Sequence, residues 1–432
     1  MHSGNRLVRL IGKSWLILEA DMNSRNKYIL AIFLLIPLIF LYSSCSILPP
    51  KFPDSRHVKT QKDMELLLNN LVTDKNPPGI SMCVVKDNRI IYKKAFGYAD
   101  GYGKVVATTD TIYHWWSITK PFTAVAILQL QEQGKLNVDD HVENHLPFLK
   151  LHPFVETDRK ITLKDLLTHS SGLPNTGPEI LSWVHFEGDP HPAQTTLLKE
   201  KISDYADLEY SPGSAAIYSN IGYMLLASVI ESVSGLPYED YIRKHILLPL
   251  KMDNTDFIYT EKMTKNEAIG SHPFDLMSFV AFFYLDKEKS ISEYKNGRYL
   301  FNRIYTDQTG PSGLIGSVTD YCRFMMAILN KGELEGNRIL SAESIQLMAT
   351  PVIEPEDTPI GQIEGVKFSL GWFYIPEPGG DSLNHGGSGA AFVTMSKLYP
   401  DKKLGIAVMA NGTYLGRRMG YDVVEMAARI KW

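Results

Sequence analysis

The sequence predicts an α+β fold, an antiparallel sheet flanked by helices with a helical lobe packed against it. Three observations predict it. Two strand-like runs lie early, at 79–86 and 89–97; further strand-like runs come only near the end, between 368 and 411; and the long stretch between is mainly helical in its periodicity. Early and late strands then share one sheet, and the middle forms the second lobe. A 432-residue chain with 44% hydrophobic and 11% aromatic residues can bury a large core.

Taken in order, the N-terminus differs in kind from the rest. Tyr28 to Tyr42 is apolar except at Pro37, is preceded by Arg25 and Lys27, and is followed by Ser43-Ser44-Cys45. A basic flank, a short apolar run and small residues read as an export signal over 1–44, and the run is shorter than the ~20 residues that span a bilayer. The signal reads better from Met22, which leaves 1–21 as an upstream extension. Cys45 has the setting of a lipid-anchored cysteine, although Tyr42 stands where an aliphatic residue is usual; an uncleaved anchor and plain secretion remain alternatives. Each places the body outside the cytoplasm, in the cell envelope and at a membrane if anchored. Residues 45–60, with Pro49, Pro50 and Pro53, read as a tether, and 61–432 as the folded domain.

A helix over 61–72 follows. Asp87-Asn88 joins 79–86 to 89–97 as a hairpin, and Thr162-Leu163-Lys164-Asp165 opens a short helix with a capping box, ending near Gly172. Residues 261–310, rich in Phe, Tyr and Met, read either as a pocket wall or lid or as an ordinary hydrophobic insertion. Strands are expected at 368–375, 391–398 and 404–411, and a closing helix at 417–430. Cys83 and Cys322 fall in a strand and a helix pattern and are expected to be buried, inert thiols. With 44 basic against 48 acidic residues, no basic excess suggests nucleic acid as a partner.

The chemistry centres on Ser117-Ile118-Thr119-Lys120. On a helix, residues three apart share a face, so the Lys120 amine can reach the Ser117 hydroxyl. The same spelling occurs at Ser24–Lys27 and Ser292–Lys295, but only Ser117 enters a segment that is apolar nearly all round, Phe122 to Leu130. Pro121 places the helix start near Ser117 and Gly134 supplies its stop, which sets the serine at the positive end of a buried helix dipole. Tyr218-Ser219-Asn220 precedes another helix, 222–233; Asn220 alone reads most simply as its N-cap, with Tyr218 projecting on the same side. His385-Gly386-Gly387-Ser388 reads as a Gly-rich turn before a strand, or as a place where a backbone N–H approaches a ligand. His141 and His145 have a metal-like spacing without the Glu a zinc-protease helix needs, so no metal or cofactor is expected. His169 and His272 could each support a site, although a packed or solvent-facing histidine is the simpler reading, and no Gly-x-Ser-x-Gly elbow is present.

In this order and at these separations, Ser117-Ile118-Thr119-Lys120, Tyr218-Ser219-Asn220 and His385-Gly386-Gly387 resemble the three active-site elements of the serine β-lactamase-related family, which includes class C β-lactamases, DD-peptidases and family VIII esterases. Gln133-Gly134-Lys135-Leu136, Leu166-Leu167-Thr168-His169-Ser170-Ser171-Gly172-Leu173, Pro249-Leu250-Lys251-Met252 and Ser312-Gly313-Leu314-Ile315-Gly316-Ser317 extend the likeness over about 62–430. The resemblance implies a β-lactamase/transpeptidase-like fold with the site between the lobes. It implies Ser117 as nucleophile, Lys120 and Tyr218 sharing proton transfer, and Asn220, His385, Gly386 and Gly387 binding substrate. The backbone N–H groups of Ser117 and Ser388 would form the oxyanion hole. One of Lys120 and Tyr218 then needs a depressed pKa, expected from their proximity. Many β-lactamases carry Lys and then Ser or Thr where His385 and Gly386 stand here. A histidine only partly charged at neutral pH holds an anion less well, so esters, small amides and peptides are expected as substrates. A β-lactamase or DD-carboxypeptidase, and a sensor that acylates and stalls, are the alternatives.

Overall fold

The computed structural model describes residues 52–432 apart from 75–76, 102, 155–158, 177, 192, 275–281, 283, 357–362 and 414–415. The export segment and Cys45 lie outside the described residues. The expected tether does not stay free over its described part: Val58 is fully buried, Phe52 packs on the core, and Arg429 donates to Ser55 Oγ at 3.0 Å. Pro53 stiffens the chain without sparing Val58 from the apolar surface beside it.

The early and late strands form one antiparallel sheet. In chain order they are β1 (Gly79–Lys86), β2 (Arg89–Gly97), β3 (Lys367–Ser369), β4 (Trp372–Ile375), β5 (Ser382–Gly389), β6 (Phe392–Tyr399) and β7 (Leu404–Ala410). The spatial order is β3-β4-β5-β6-β7-β1-β2, so β1 closes on β7 across the whole length of the chain, pairing Cys83 with Ala407. The β1–β2 turn has Asp87 at φ 48° and Asn88 at φ 61°, both left-handed, as the turn matching strand twist requires.

Two departures from the expected strands have clear causes. The single run at 368–375 is the hairpin β3–β4, because Gly371 turns at φ 87°. His385-Gly386-Gly387 is not a turn but the interior of β5, paired with β6 through His385 opposite Ser396 and Gly387 opposite Thr394. Ladder hydrogen bonds on that edge outweigh the poor strand propensity of the glycines.

The principal helices are α1 (Gln61–Thr73), α2 (Lys120–Glu132), α3 (Asn220–Ser234), α4 (Val318–Leu329) and α5 (Gly416–Ala428). The sheet is covered on both faces. Ile80, Met82 and Val84 pack with residues of α1 and α5, whereas Cys83 and Val85 pack with the larger core that α2, α3 and α4 share. This two-sided burial is why β1 reads as apolar on both faces, interrupted only by Ser81 before Lys86, and each large apolar side chain so buried contributes about 1.5–3 kcal/mol. Alternation along β1 also turns Cys83 toward α4, where it is bonded to Cys322 with the Cα atoms 6.7 Å apart. The expectation of two separate thiols is thus corrected, while their burial stands.

The capping box at Thr162 is present, but its helix stops at Leu167, before His169 at φ 57°. Residues 271–273, 291–295 and 298–301 form a small sheet, and 304–306 pairs with 184–186. Part of the expected pocket wall or lid, 275–281 and 283, lies outside the described residues. Among the described residues no single helix is long and apolar enough to cross a membrane.

Candidate active site

Ser117 lies in a 3-10 turn, Trp116–Thr119, that runs directly into α2. Pro121 sits in the first turn and Gly134, at φ 67°, closes the helix. Every residue from Lys120 to Leu130 is buried, while Ser117 keeps partial exposure. Trp116 is held at φ 51°, a costly conformation for a bulky residue, and its neighbours enforce it. The Trp115 N–H donates to Leu314 O at 2.9 Å, its indole N–H donates to Gly316 O at 3.0 Å, and Thr119 Oγ1 donates to Trp116 O at 2.7 Å. The Ser312 to Ser317 segment is therefore the splint of the turn that carries Ser117, with 315–317 paired to 112–114.

Lys120 Nζ lies 3.4 Å from Ser117 Oγ, 2.8 Å from Asn220 Oδ1 and 3.2 Å from the Pro311 carbonyl oxygen. It stands 4.7 Å from the centroid of the Tyr218 ring. Burial pushes its pKa well below the ordinary lysine value; desolvation, rather than the expected closeness of Tyr218, is the cause. In its neutral form the amine can donate its two N–H bonds to Asn220 and Pro311 and turn its lone pair to the Ser117 hydroxyl, the arrangement a general base needs.

Tyr218 and Asn220 are positioned from α3. Ser219, not Asn220, caps that helix, accepting from Gly222 N–H at 3.4 Å, which releases the Asn220 amide toward Lys120. Asn220 Nδ2 donates to Thr176 Oγ1 at 3.5 Å. Beneath them His169, fully enclosed, accepts the Ser219 N–H on Nδ1 at 3.1 Å and places its ring 4.3 Å from that of Tyr218. Its pKa is pushed well below the usual histidine range by burial first and by Lys120 second. Of the two readings open for His169, the packed residue and the site support, the fold combines both: it is buried and touches Ser219 and Tyr218. Its position inside the matched run from Leu166 to Leu173 was the available signal.

β5 forms the opposite wall. His385 is buried, and its pKa is pushed down to about 3 by burial first and Lys120 second. It is thus a neutral ring rather than the partly charged one expected. Its Nδ1 pairs with Gly386 O at 2.9 Å, and its ring lies 6.5 Å from Tyr218 and 5.4 Å from Phe373. At Gly387 a Cβ would overlap the Trp115 carbonyl oxygen and come within 3.0 Å of the Ser117 amide nitrogen. Absence of a side chain there is what lets the Gly387–Ser388 backbone lie against the Ser117 turn, an approach that would let N–H groups of both segments meet an oxyanion. Gly386 would meet Met395 Sδ at 2.9 Å and offers no hydroxyl.

The rival motifs sort themselves. Ser292 donates to Leu300 O at 3.0 Å in an exposed strand, and Lys295 pairs with Glu293. Ser24–Lys27 lies outside the described residues. His145 Nε2 bonds Asp140 at 3.0 Å. His272 bonds Thr413.

A family model described as Beta-lactamase matches residues 64–428. Penicillin-binding protein 4* of Bacillus subtilis (strain 168) is 28% identical over 330 residues, covering 74% of this chain and 65% of that protein. The octameric penicillin-binding protein homologue from Pyrococcus abyssi is similar in structure with a TM-score of 0.68 at 31% identity, over 85% of this chain and 77% of that one. EstCE1, a hydrolase with promiscuous acyltransferase activity, gives a TM-score of 0.67 at 20% identity over 85% and 98%, a likeness of fold alone. The chain spans between 41% and 65% of the length of the first curated relatives it matches.

Proposed function

The chain belongs to the β-lactamase family, and from that premise we propose that it is a serine hydrolase acting on carboxylic esters and small amides or peptides through an acyl-enzyme on Ser117. The observation that carries this reading is the buried Lys120 amine, depressed in pKa and placed between Ser117 Oγ and two oxygen acceptors. As Ser117 Oγ attacks the carbonyl carbon, Lys120 takes its proton and the carbonyl oxygen becomes an oxyanion. The N–H groups of Ser117 and Ser388 receive that charge. Collapse of the intermediate expels the leaving group, which takes a proton from the Lys120–Tyr218 pair, and water then attacks the acyl ester by the same route in reverse. Asn220 and the β5 edge hold the acyl side of the substrate.

Neutral His385 and hydroxyl-free Gly386 favour substrates without a carboxylate at that subsite, so β-lactam turnover is weak. Action as a DD-carboxypeptidase on cell-wall peptides is the nearest alternative, favoured by the identity to penicillin-binding proteins. Export to the cell envelope with a lipid anchor at Cys45 belongs to the same proposal; the oxidised Cys83–Cys322 pair supports a non-reducing compartment.

A panel of short acyl esters, D-amino-acid peptides and a chromogenic cephalosporin tests the substrate, and intact-mass measurement tests the acyl-enzyme. Ester turnover with a transient adduct on Ser117 is expected. A clear preference for the cephalosporin would sink the ester reading, and a persistent adduct would mark a sensor.

A further inference from the structure

We propose that His185, His191 and Asp307 bind one divalent transition-metal ion, with zinc the best match to the donor set, beside the strand pair 184–186 and 304–306.

The three side chains come together by strand geometry. His185 lies in strand 184–186, opposite Tyr305 of strand 304–306. Asp307 is two residues past Tyr305 and so falls on the same face as His185. The chain then folds back through a turn, with the Asp189 N–H donating to Phe186 O at 3.0 Å and Gly188 at φ 85°, and this returns His191 to His185. The two imidazole rings have centroids 4.6 Å apart, and one donor atom from each of the three side chains lies within 4.8 Å of the others.

The chemistry is that of a zinc site rather than a calcium site: two imidazoles and one carboxylate. His185 and Asp307 are each about nine-tenths buried, and His185 Nδ1 faces Asp307 Oδ1 at 2.7 Å. Ligands of a tetrahedral ion with bonds of about 2.0–2.1 Å stand only slightly farther apart, so an ion replaces the shared proton with a small opening of the pair. The second nitrogen of His191 has an outer partner, since Nε2 lies 3.3 Å from Glu239 Oε1, and Glu239 is itself buried. A carboxylate behind a ligating histidine fixes its tautomer and orientation, the usual surround of a zinc-bound imidazole. Partial exposure of His191, at 34%, leaves an entry route and room for a water as fourth ligand.

Two of the segments that meet at the site also serve the cleft. Asp307 leads within four residues to Pro311, whose carbonyl accepts from Lys120. Glu239 adjoins Tyr238, whose hydroxyl pairs with Thr123 on α2 at 2.8 Å. The ion is therefore a brace on the wall behind Lys120, outside the bond-making steps.

The test is direct metal binding by the purified full-length protein after chelator treatment and dialysis. Titration with Zn2+ followed by mass analysis, and with Co2+ followed by its visible ligand-field absorption, is expected to show one equivalent bound with low coordination number. His191→Ala, at the exposed ligand, is expected to lose the stoichiometric ion, and Glu239→Gln to weaken it by about 10- to 100-fold. Zn2+ is expected to raise the melting temperature of the wild type and not of His191→Ala. Equal binding by wild type and both variants, or no binding above the variant level, overturns the site. Should His191→Ala fail to fold, the Glu239→Gln titration decides alone.

Discussion

The imidazole Nδ1 of His169 accepts the backbone N–H of Ser219 at 3.1 Å while its ring lies 4.3 Å from that of Tyr218. One buried side chain thus sets both the entry of α3, which carries Asn220, and the plane of the proposed proton-transfer tyrosine. His169→Ala leaves a buried N–H unpaired, at about 1–3 kcal/mol. The expected kinetic outcome is a fall in kcat of tenfold or more with KM less affected, and His169→Asn, which keeps an acceptor, recovers part of it. Steady-state kinetics with an ester, set beside thermal melts, separate positioning from simple loss of fold. A change in melting temperature with unaltered kcat would leave His169 a packing residue.

Ser117→Ala is expected to abolish covalent labelling by an activated ester and to lower turnover by at least about 10⁴-fold, as removal of a nucleophile does in serine hydrolases. Intact-mass spectra of wild type and variant check it. Hydrolysis at the wild-type rate by the variant would remove Ser117 from the mechanism.

Lys120→Met is expected to be inactive yet more stable, by about 0.5–2 kcal/mol. The sign follows from the buried amine. Its folded pKa is lower than its unfolded one, so protonation favours the unfolded chain at every pH below the ordinary lysine value, and that penalty fades only as pH rises toward it. Denaturant melts at neutral pH measure the difference. A variant less stable than wild type would mean that the bonds to Asn220 and Pro311 outweigh desolvation.

The pH–rate profile distinguishes Lys120 from the histidines. Burial holds His385 at about 3 and His169 well below the usual range, so neither changes charge near neutrality. The acid limb of kcat/KM is expected to report Lys120, with activity lost as pH falls through its pKa, and to persist in His385→Gln. Disappearance of that limb in the His385 variant would reassign the base.

Cys83 and Cys322, 239 residues apart, are expected to resist alkylation until reduced. Reduction is expected to lower stability by about 2–4 kcal/mol. Mass mapping of alkylated peptides, with and without reductant, checks the pairing. Ready alkylation of both thiols in the native, unreduced protein would refute it.

Legibility differed by the kind of information each element needs. The β1–β2 hairpin, the Thr162 capping box and the stop at Gly134 were readable because local residues specify them: left-handed Asp87 and Asn88, a Thr–Asp reciprocal cap, a glycine at φ 67°. The Ser117–Lys120 proximity was readable from helical spacing. β5 was not, since Gly386, Gly387 and Gly389 mask a strand whose glycines are there to admit Met395, Trp115 and Trp116. Nor was the Pro311 carbonyl, because a backbone oxygen carries no residue signature. The disulfide and the role of Ser219 as the cap of α3 depend on distances that only the folded chain supplies.

From Lys120 to Leu130 the helix behind Ser117 has no solvent face. No position along it is free to drift: each substitution disturbs a packed neighbour, and the coordinates of Ser117 are in effect locked to the rest of the core. Adaptation of this protein to a different acyl group has therefore to be written at the rim, in segments such as the one carrying Thr176, which already reaches Asn220. An engineer seeking new substrates would randomise that loop and leave α2 untouched.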